Sequence, residues 1–349
     1  MKSKNYSENI IKVFKKDGFV LSEPDVLLDS DYIIERSGEN FRKIMLTFED
    51  DTGKSMCLRP DLTVASCIKY LKDNSKTNSK IYYSGQAYRR SKSLNKVINY
   101  QLGLEIFDSK NKSIDDLKVL KTITNSIKKI KIKNISIKVG DVSLFKQLIE
   151  SLKIPERWRM RLKRHFWRPQ YFEDLLNRLE TNSDVDPSTV ELDKKKFFEM
   201  KNIDQNKEVA NRKVSEIISR FDRKIKDPRS FKENKKTVKI IKDFLKINCP
   251  LDKLEKTLNN FINKNQLSKS VFKDQSSLKN LSRLNSKITF STNFGRDIEY
   301  YSGVVFEIYN SSKKEIARGG RYDGLLKSLG SKKNISAVGA AINLNNLKT

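Results

Sequence analysis

The chain has one histidine, three cysteines and far fewer acids than bases, and each shortage excludes something. A Ser–His–Asp triad or a histidine-rich metal site would have to rest on His165 alone. That residue sits inside the basic, aromatic stretch RLKRHFWRP, where a structural role is the simpler expectation. Cys57, Cys67 and Cys249 are too few and too scattered for a disulfide framework or a four-ligand zinc site. They read as buried, reduced thiols of a cytoplasmic protein, and neither a metal nor a cofactor is expected. No run approaches the roughly 20 apolar residues of a membrane-spanning helix. The N-terminus, MKSKNYSENIIKVFKKDGF, is charged throughout and lacks the continuous apolar core of a secretory signal. Catalysis would have to come from carboxylates, Arg, Lys and Tyr.

Acids are short as well: 43 Asp and Glu face 71 Lys and Arg, a formal charge of +28. Such an excess is an electrostatic footprint for nucleic acid. It is spread from Lys2 to Lys348, however, with Lys far ahead of Arg, as a compositional habit would spread it. With 37% hydrophobic and 9% aromatic residues, the 349 residues can bury the core of one large domain with an insertion, or of two ordinary domains.

What is present is pattern at both ends of the chain. Ile10, Ile11, Val13 and Phe14 give residues 6–16 the apolar side of a helix that stops at Gly18. Residues 19–28 read as extended. Short strands and turns follow from 40 to 108: FRKIMLTFED, a turn at Asp51-Thr52-Gly53, and MCLRPDLTVASCIKYL with a helical second half. After a loop at 74–78 come two further strands, KIYYSGQAYRR and INYQLGLEIFD. A helix at 113–130 and a strand at 135–139 complete this part. From about 153 to 287 the chain loses strand patterning, gains Lys, Arg and Asn, and reads as helical, with a polar linker at 181–188. Strand patterning returns in KITFSTNF and EYYSGVVFEIYN, followed by ARGGRYDGLL and the small-residue run AVGAAINL. Strands on both sides of a helical block predict one α+β domain whose sheet is completed by the C-terminal segment.

Two strands carry candidate chemistry. Alternation puts Tyr100, Leu102, Leu104 and Ile106 on one face of INYQLGLEIFD, to pack inward, and Gln101, Gly103, Glu105 and Phe107 on the other. An amide and a carboxylate about 7 Å apart across a glycine leave room for something to lie on the sheet. On the preceding strand, Tyr83, Gly85, Ala87 and Arg89 share a face, a floor ending in a planar anion-binding fork. Such a floor suits a small molecule bearing a carboxylate or phosphate. Asp61 and Thr63 in LRPDLT offer a carboxylate and a hydroxyl, although an Asp there is equally a helix N-cap. ARGGRYDG lacks the order of a phosphate loop; with Glu315 and Arg318 flanking it, a tight hairpin is the expectation.

RPDLT, GQAYRR, QLGLE, GRDIEYYSGVVFE and GGRYDGLL occur in the order found in the histidyl-tRNA synthetase family, which the chain resembles from about residue 18 to 344 outside the helical block. Within that family it most resembles the non-catalytic branch, the regulatory subunits of ATP phosphoribosyltransferase in histidine biosynthesis. The resemblance implies a class II synthetase-like antiparallel sheet flanked by helices, usually in a homodimer. Residues 1–152 and 288–349 would form that domain, and 153–287 a helical insertion. It also implies a histidine site of Asp61, Thr63, Arg89, Gln101, Glu105, Arg296, Tyr300 and Tyr301. In it, Asp61 and Gln101 would take the ammonium, Arg296 the carboxylate, and Glu105 with Tyr301 the ring. Arg89 matches the family's α-phosphate contact.

The departures fall elsewhere. The stretch between Arg90 and Asn99 is short and lacks a second basic ATP contact. Asn345 and Asn346 stand where the family has a Glu-Arg pair whose Arg clamps the γ-phosphate. The chain stops at Thr349, leaving no length for an anticodon-binding domain. These losses strike ATP and tRNA and spare the histidine pocket. They imply a regulatory subunit without catalysis of its own, in a hetero-oligomer with a short-form catalytic ATP phosphoribosyltransferase subunit and with L-histidine as effector. The alternative is a histidyl-tRNA synthetase-like ligase or a tRNA-binding paralogue, supported by the +28 charge.

Overall fold

The alternating segments from both ends of the chain join one sheet in the structure, a computed structural model. It describes residues 2–347 apart from 38, 74–78, 93–95, 182–186, 210–211, 227–231, 285–286 and 297–298. The loop expected at 74–78, and most of the linker expected at 181–188, lie outside the described residues. In chain order the strands are β1 Val20–Leu21, β2 Leu27–Asp29, β3 Leu46–Glu49, β4 Ser55–Leu58, β5 Lys80–Tyr88, β6 Ile98–Phe107 and β7 Ser136–Asp141. They continue with β8 Glu208–Val209, β9 Arg212–Lys213, β10 Asn248–Pro250, β11 Ile288–Ser291, β12 Val304–Tyr309, β13 Glu315–Arg321 and β14 Ala337–Asn343.

Nine of these form a sheet in the order β1-β5-β6-β14-β13-β12-β7-β11-β10. The pairings are antiparallel except β1 with β5 and β7 with β11. β14, near the C-terminus, pairs with β6 from the N-terminal part, so the C-terminal segment lies at the sheet's centre. A smaller sheet orders β2-β4-β3. The strand expected over 41–50 begins only at Leu46; Glu39–Ile44 is helical. Glu39, Arg42 and Lys43 favour a helix and do not alternate with apolar residues there, so local propensity prevails.

Both faces of the large sheet are covered. Phe14 of the helix Lys2–Lys16 meets Tyr82, ring centroids 6.0 Å apart, on the face that Leu102, Leu104 and Ile106 also use. The helix Lys112–Lys129 packs with it. Tyr100, in the outer part of β6, is instead 47% exposed. The other face bears the helix Leu62–Lys72 and a cluster holding Ile81, Phe107, Tyr322, Leu325 and Cys67. Here Tyr70 lies 4.4 Å from the Phe107 ring.

The chain divides into two compact units. One comprises Met1–Leu144, Asn248–Leu258 and Lys273–Thr349, and contains the sheet just described. The other comprises Phe145–Ile247 and Asn259–Phe272 and is largely helical. Its interior is a set of phenylalanines: Phe145 stacks on Phe166 at 3.8 Å, and Phe244 lies 5.9 Å from both Phe261 and Phe272. The register of the first unit positions the site.

Candidate functional site

Strand pairing sets three lateral rows across one face. The first runs Ile81, Glu105, Gly339, Gly320, Val305, and the second Tyr83, Gly103, Ala341, Arg318, Glu307. The third begins Gly85, Gln101, Asn343. Residues directly opposite one another share a face, so sequence positions 200 residues apart present their side chains to one place. The helix Leu62–Lys72 starts over these rows. Asp61 is its N-cap, with one carboxylate oxygen accepting from the Val64 amide at 3.1 Å. The other oxygen faces the Arg89 guanidinium at 3.5 Å, and Arg89 is steadied by donating Nε–H to the Pro60 carbonyl at 2.8 Å. Asp61 therefore both caps the helix and presents charge to the site.

Thr63, in the first turn, donates its hydroxyl to Glu105 Oε1 at 2.8 Å. Tyr83 donates to the same oxygen at 3.2 Å, and Tyr322 donates to Oε2. Glu105 is completely buried. Burial is the largest influence on its carboxyl and pushes it up to about 8, against the lowering effect of the three hydroxyls. The same burial raises the phenols of Tyr83 and Tyr322 well above their ordinary range.

The glycine floor of β5 and β6 is not open, contrary to the expectation from alternation. A Cβ at Gly103 would overlap the Tyr83 hydroxyphenyl group, so the space above that glycine holds its cross-strand neighbour. A Cβ at Gly85 would lie 2.5 Å from Arg59 Nη2. Arg59 is buried there, donating to the carbonyls of Gln86 at 2.8 Å and Pro24 at 2.5 Å. Alternation identified the face correctly, but the chain's own long side chains fill that part of it.

The open space lies one and two strands over. A cavity of about 280 Å³ is floored by Gly319, Gly339, Ala340 and Ala341 of β13 and β14. Small residues are needed at this floor: a Cβ on Gly320 would come within 2.8 Å of the Tyr301 ring, and one on Gly339 would overlap the Glu105 carboxyl. Of the expected site residues, Asp61, Thr63, Arg89, Gln101, Tyr300 and Tyr301 line this trough together. Glu105 lies beneath it, reaching the lining through Thr63 and Tyr322. Arg296 is buried outside the lining and donates Nη1–H to Asn293 Oδ1 at 2.6 Å.

Tyr322 and Asn343 are not among the expected residues, and the tight hairpin expected at ARGGRYDG is not there. Glu315–Arg321 is one strand, the turn lies before it at 310–314, and Glu315 and Arg318 line the trough. The signal available was parity: Arg318 and Gly320 share a face of β13, as do Gly339, Ala341 and Asn343 of β14. Arg318 pairs with Glu307 across the hairpin and with Glu315 at 3.1 Å. Asn345 and Asn346 act as staples. Asn345 donates to the Ile98 carbonyl at 2.9 Å, and Asn346 to the Glu315 carbonyl at 2.7 Å.

Comparison with known proteins places this geometry. The family model described as histidyl-tRNA synthetase matches residues 1–347. The chain belongs to the histidyl-tRNA synthetase family. Among curated relatives, it is 25% identical to the ATP phosphoribosyltransferase regulatory subunit of Allorhizobium ampelinum, across 99% of this chain and 97% of that one. It is 26% identical to the subunit of the same name from Mesorhizobium japonicum, across 97% and 95%. Among solved structures, a histidyl-tRNA synthetase from Nostoc aligns with 99% of this chain and 70% of its own, at a TM-score of 0.62 and 15% identity. A structure described as an ATP phosphoribosyltransferase regulatory subunit/histidyl-tRNA synthetase from Bacillus halodurans aligns with 99% and 77%, at 0.60 and 16%. These two share the class II synthetase-like fold with this chain.

Proposed function

We propose that this protein is a non-catalytic regulatory subunit of ATP phosphoribosyltransferase, serving the first step of histidine biosynthesis, and that its trough binds L-histidine. The observation that carries the reading is the near end-to-end match, on both chains, with relatives of that name. The trough supports the ligand. Asp61 beside Arg89 offers a carboxylate and a guanidinium together, which suits the ammonium and carboxylate of a zwitterion. Asp61 and Gln101 take the ammonium. Arg89 takes the carboxylate, because Arg296 stands outside the lining. The imidazole meets Tyr301, Tyr300 and the hydroxyls of Thr63 and Tyr322 that Glu105 orients.

In this reading the helical part of residues 153–287 is an insertion in the synthetase-like domain, from which Asn248–Pro250 returns to the sheet, and two copies associate with the short catalytic subunit in the cytoplasm. The three free cysteines suit such a reducing compartment. Histidine in the trough lowers the partner's activity through a coupling free energy of about 1–3 kcal/mol. The test has two parts. The two chains, co-expressed, should co-purify and support phosphoribosyl transfer from phosphoribosyl pyrophosphate to ATP. Calorimetry should show histidine binding to the wild type and at least ten-fold weaker binding to Glu105→Ala. No association at micromolar concentration would overturn the subunit assignment. Equal affinity in the variant, or no binding by the wild type at millimolar histidine, would overturn the ligand.

A further inference from the structure

We propose that the Glu307–Arg318–Glu315 cluster closes the outer half of the trough to nucleoside polyphosphates, with Glu315 as the residue that sets this exclusion. The proposal deepens the ligand reading above and rests on the trough being the ligand site. Arg318 shares a lateral row with Ala341 and Gly103, so its side chain rises from the trough face beside small neighbours. A guanidinium so placed would ordinarily serve a phosphate as a planar fork. Here Nη2 is shared between Glu307 and Glu315. Glu307 is a buried, fixed member, its side chain 6% exposed, and Tyr309 donates its hydroxyl to it. Glu315 is the accessible member, its side chain 35% exposed and part of the lining.

Two carboxylates around one guanidinium put more acid than base at this end of the trough, where burial and the nearby Glu307 push the Glu315 carboxyl up from its ordinary value. The position is held from outside as well, because Asn346 donates to the Glu315 main-chain carbonyl at 2.7 Å and fixes the start of β13. A polyphosphate entering this end meets like charge at short range, with Arg318 Nη2 already shared between Glu307 and Glu315. A zwitterionic amino acid seated between Asp61, Arg89 and Tyr322 does not. The exclusion thus works by an added repulsive element, which is how specificity between similar ligands is commonly set.

The test is calorimetry with magnesium-free ATP and with inorganic pyrophosphate on the full chain, with thermal melts to verify folding. Wild type should bind neither in the trough. Glu315→Gln keeps shape and removes one charge, and should gain at least about ten-fold in affinity for both anions, roughly one charge-assisted contact. Glu315→Gln/Arg318→Ala should lose that gain, which separates the trough from general attraction to a +28 chain. In Glu315→Gln, ATP should also compete with histidine. Wild type binding ATP as tightly as the variant, or a gain that survives removal of Arg318, overturns the proposal. So does a folded Glu315→Gln with no gain. Histidine titrated in parallel tells the two readings apart: absence of histidine binding with the anion results intact overturns the ligand assignment alone.

Discussion

Two stretches of one sheet face are floored by small residues, and only one is open. On β5 and β6, Gly85 lies under Arg59 and Gly103 under Tyr83, so that part of the face is sealed by the chain itself. On β13 and β14 the Glu105 carboxyl covers Gly339 at the deep end, and the trough opens beyond it over Ala341 and the main chain of its neighbours. The difference lies in the neighbours. Tyr83 stands opposite Gly103 in register, and Arg59 is anchored by two main-chain carbonyls. Opposite Gly339 stand Gly320 and Glu105, and opposite Ala341 stand Gly103 and Arg318. A glycine on a strand face says that something lies over it. The cross-strand neighbours decide whether that something is a side chain or a ligand.

The sharpest way to break the comparison is Gly339→Ala. The new methyl would overlap Glu105, which cannot retreat without losing the hydroxyls of Thr63, Tyr83 and Tyr322. Overpacking typically costs about 1–3 kcal/mol and each hydrogen bond lost from the buried carboxyl about 0.5–1.5. A loss of about 4 kcal/mol or more is expected, a large share of the 5–15 kcal/mol a domain has. Urea denaturation checks this; a loss below about 1 kcal/mol would mean that Glu105 moves freely.

The deep end can also be probed by pH. The folded Glu105 carboxyl titrates near 8 against an ordinary 4.5, so the folded chain holds a proton that the unfolded chain releases first. Its contribution to stability is therefore fully present below about pH 4.5 and is lost as pH rises towards 8. At about 1.4 kcal/mol per unit, the effect is on the order of a few kcal/mol. Burial also raises Asp116, and raises Asp141 to about 6, so both slope the same way and the wild-type profile alone does not isolate Glu105. The measurement is the difference between wild type and Glu105→Gln across pH 5 to 9. The variant should gain relative stability as pH rises; a flat difference would show a carboxyl with an ordinary titration.

How much of this was legible in the sequence follows the range of each interaction. The strands from 80 to 107, the helix after Pro60 and the Asp61 cap are local patterns and could be read directly. The order of five short motifs named the fold family, because their combination is specific where each alone is not. The occupancy of each floor was not legible. It depends on which residue register sets opposite Gly103, and on the buried Arg59, which opens RPDLT, reaching over Gly85. Arg318 shows the same limit. ARGGRYDG suggested a turn where the chain forms a strand, and the place of Arg318 beside Ala341 follows from β14 lying between β13 and β6.

The smallest expected effect on stability comes from the open floor, and it tests the comparison most directly. Ala341→Val adds two methyls on the same strand as Gly339, two residues away and on the same face. In a sealed floor such a change would overpack as Gly339→Ala does. In an open one the methyls enter the cavity, and a β-branched residue suits a strand, so stability should change by less than about 1 kcal/mol. Ligand binding should suffer instead, since about 280 Å³ is at the low end for a small-molecule site. Calorimetry with L-histidine beside urea denaturation separates the two costs. A variant that keeps its stability and binds histidine at least ten-fold more weakly marks the β13–β14 floor as ligand space. One that loses stability while keeping its affinity would show this floor to be packed by the protein, like that of β5 and β6.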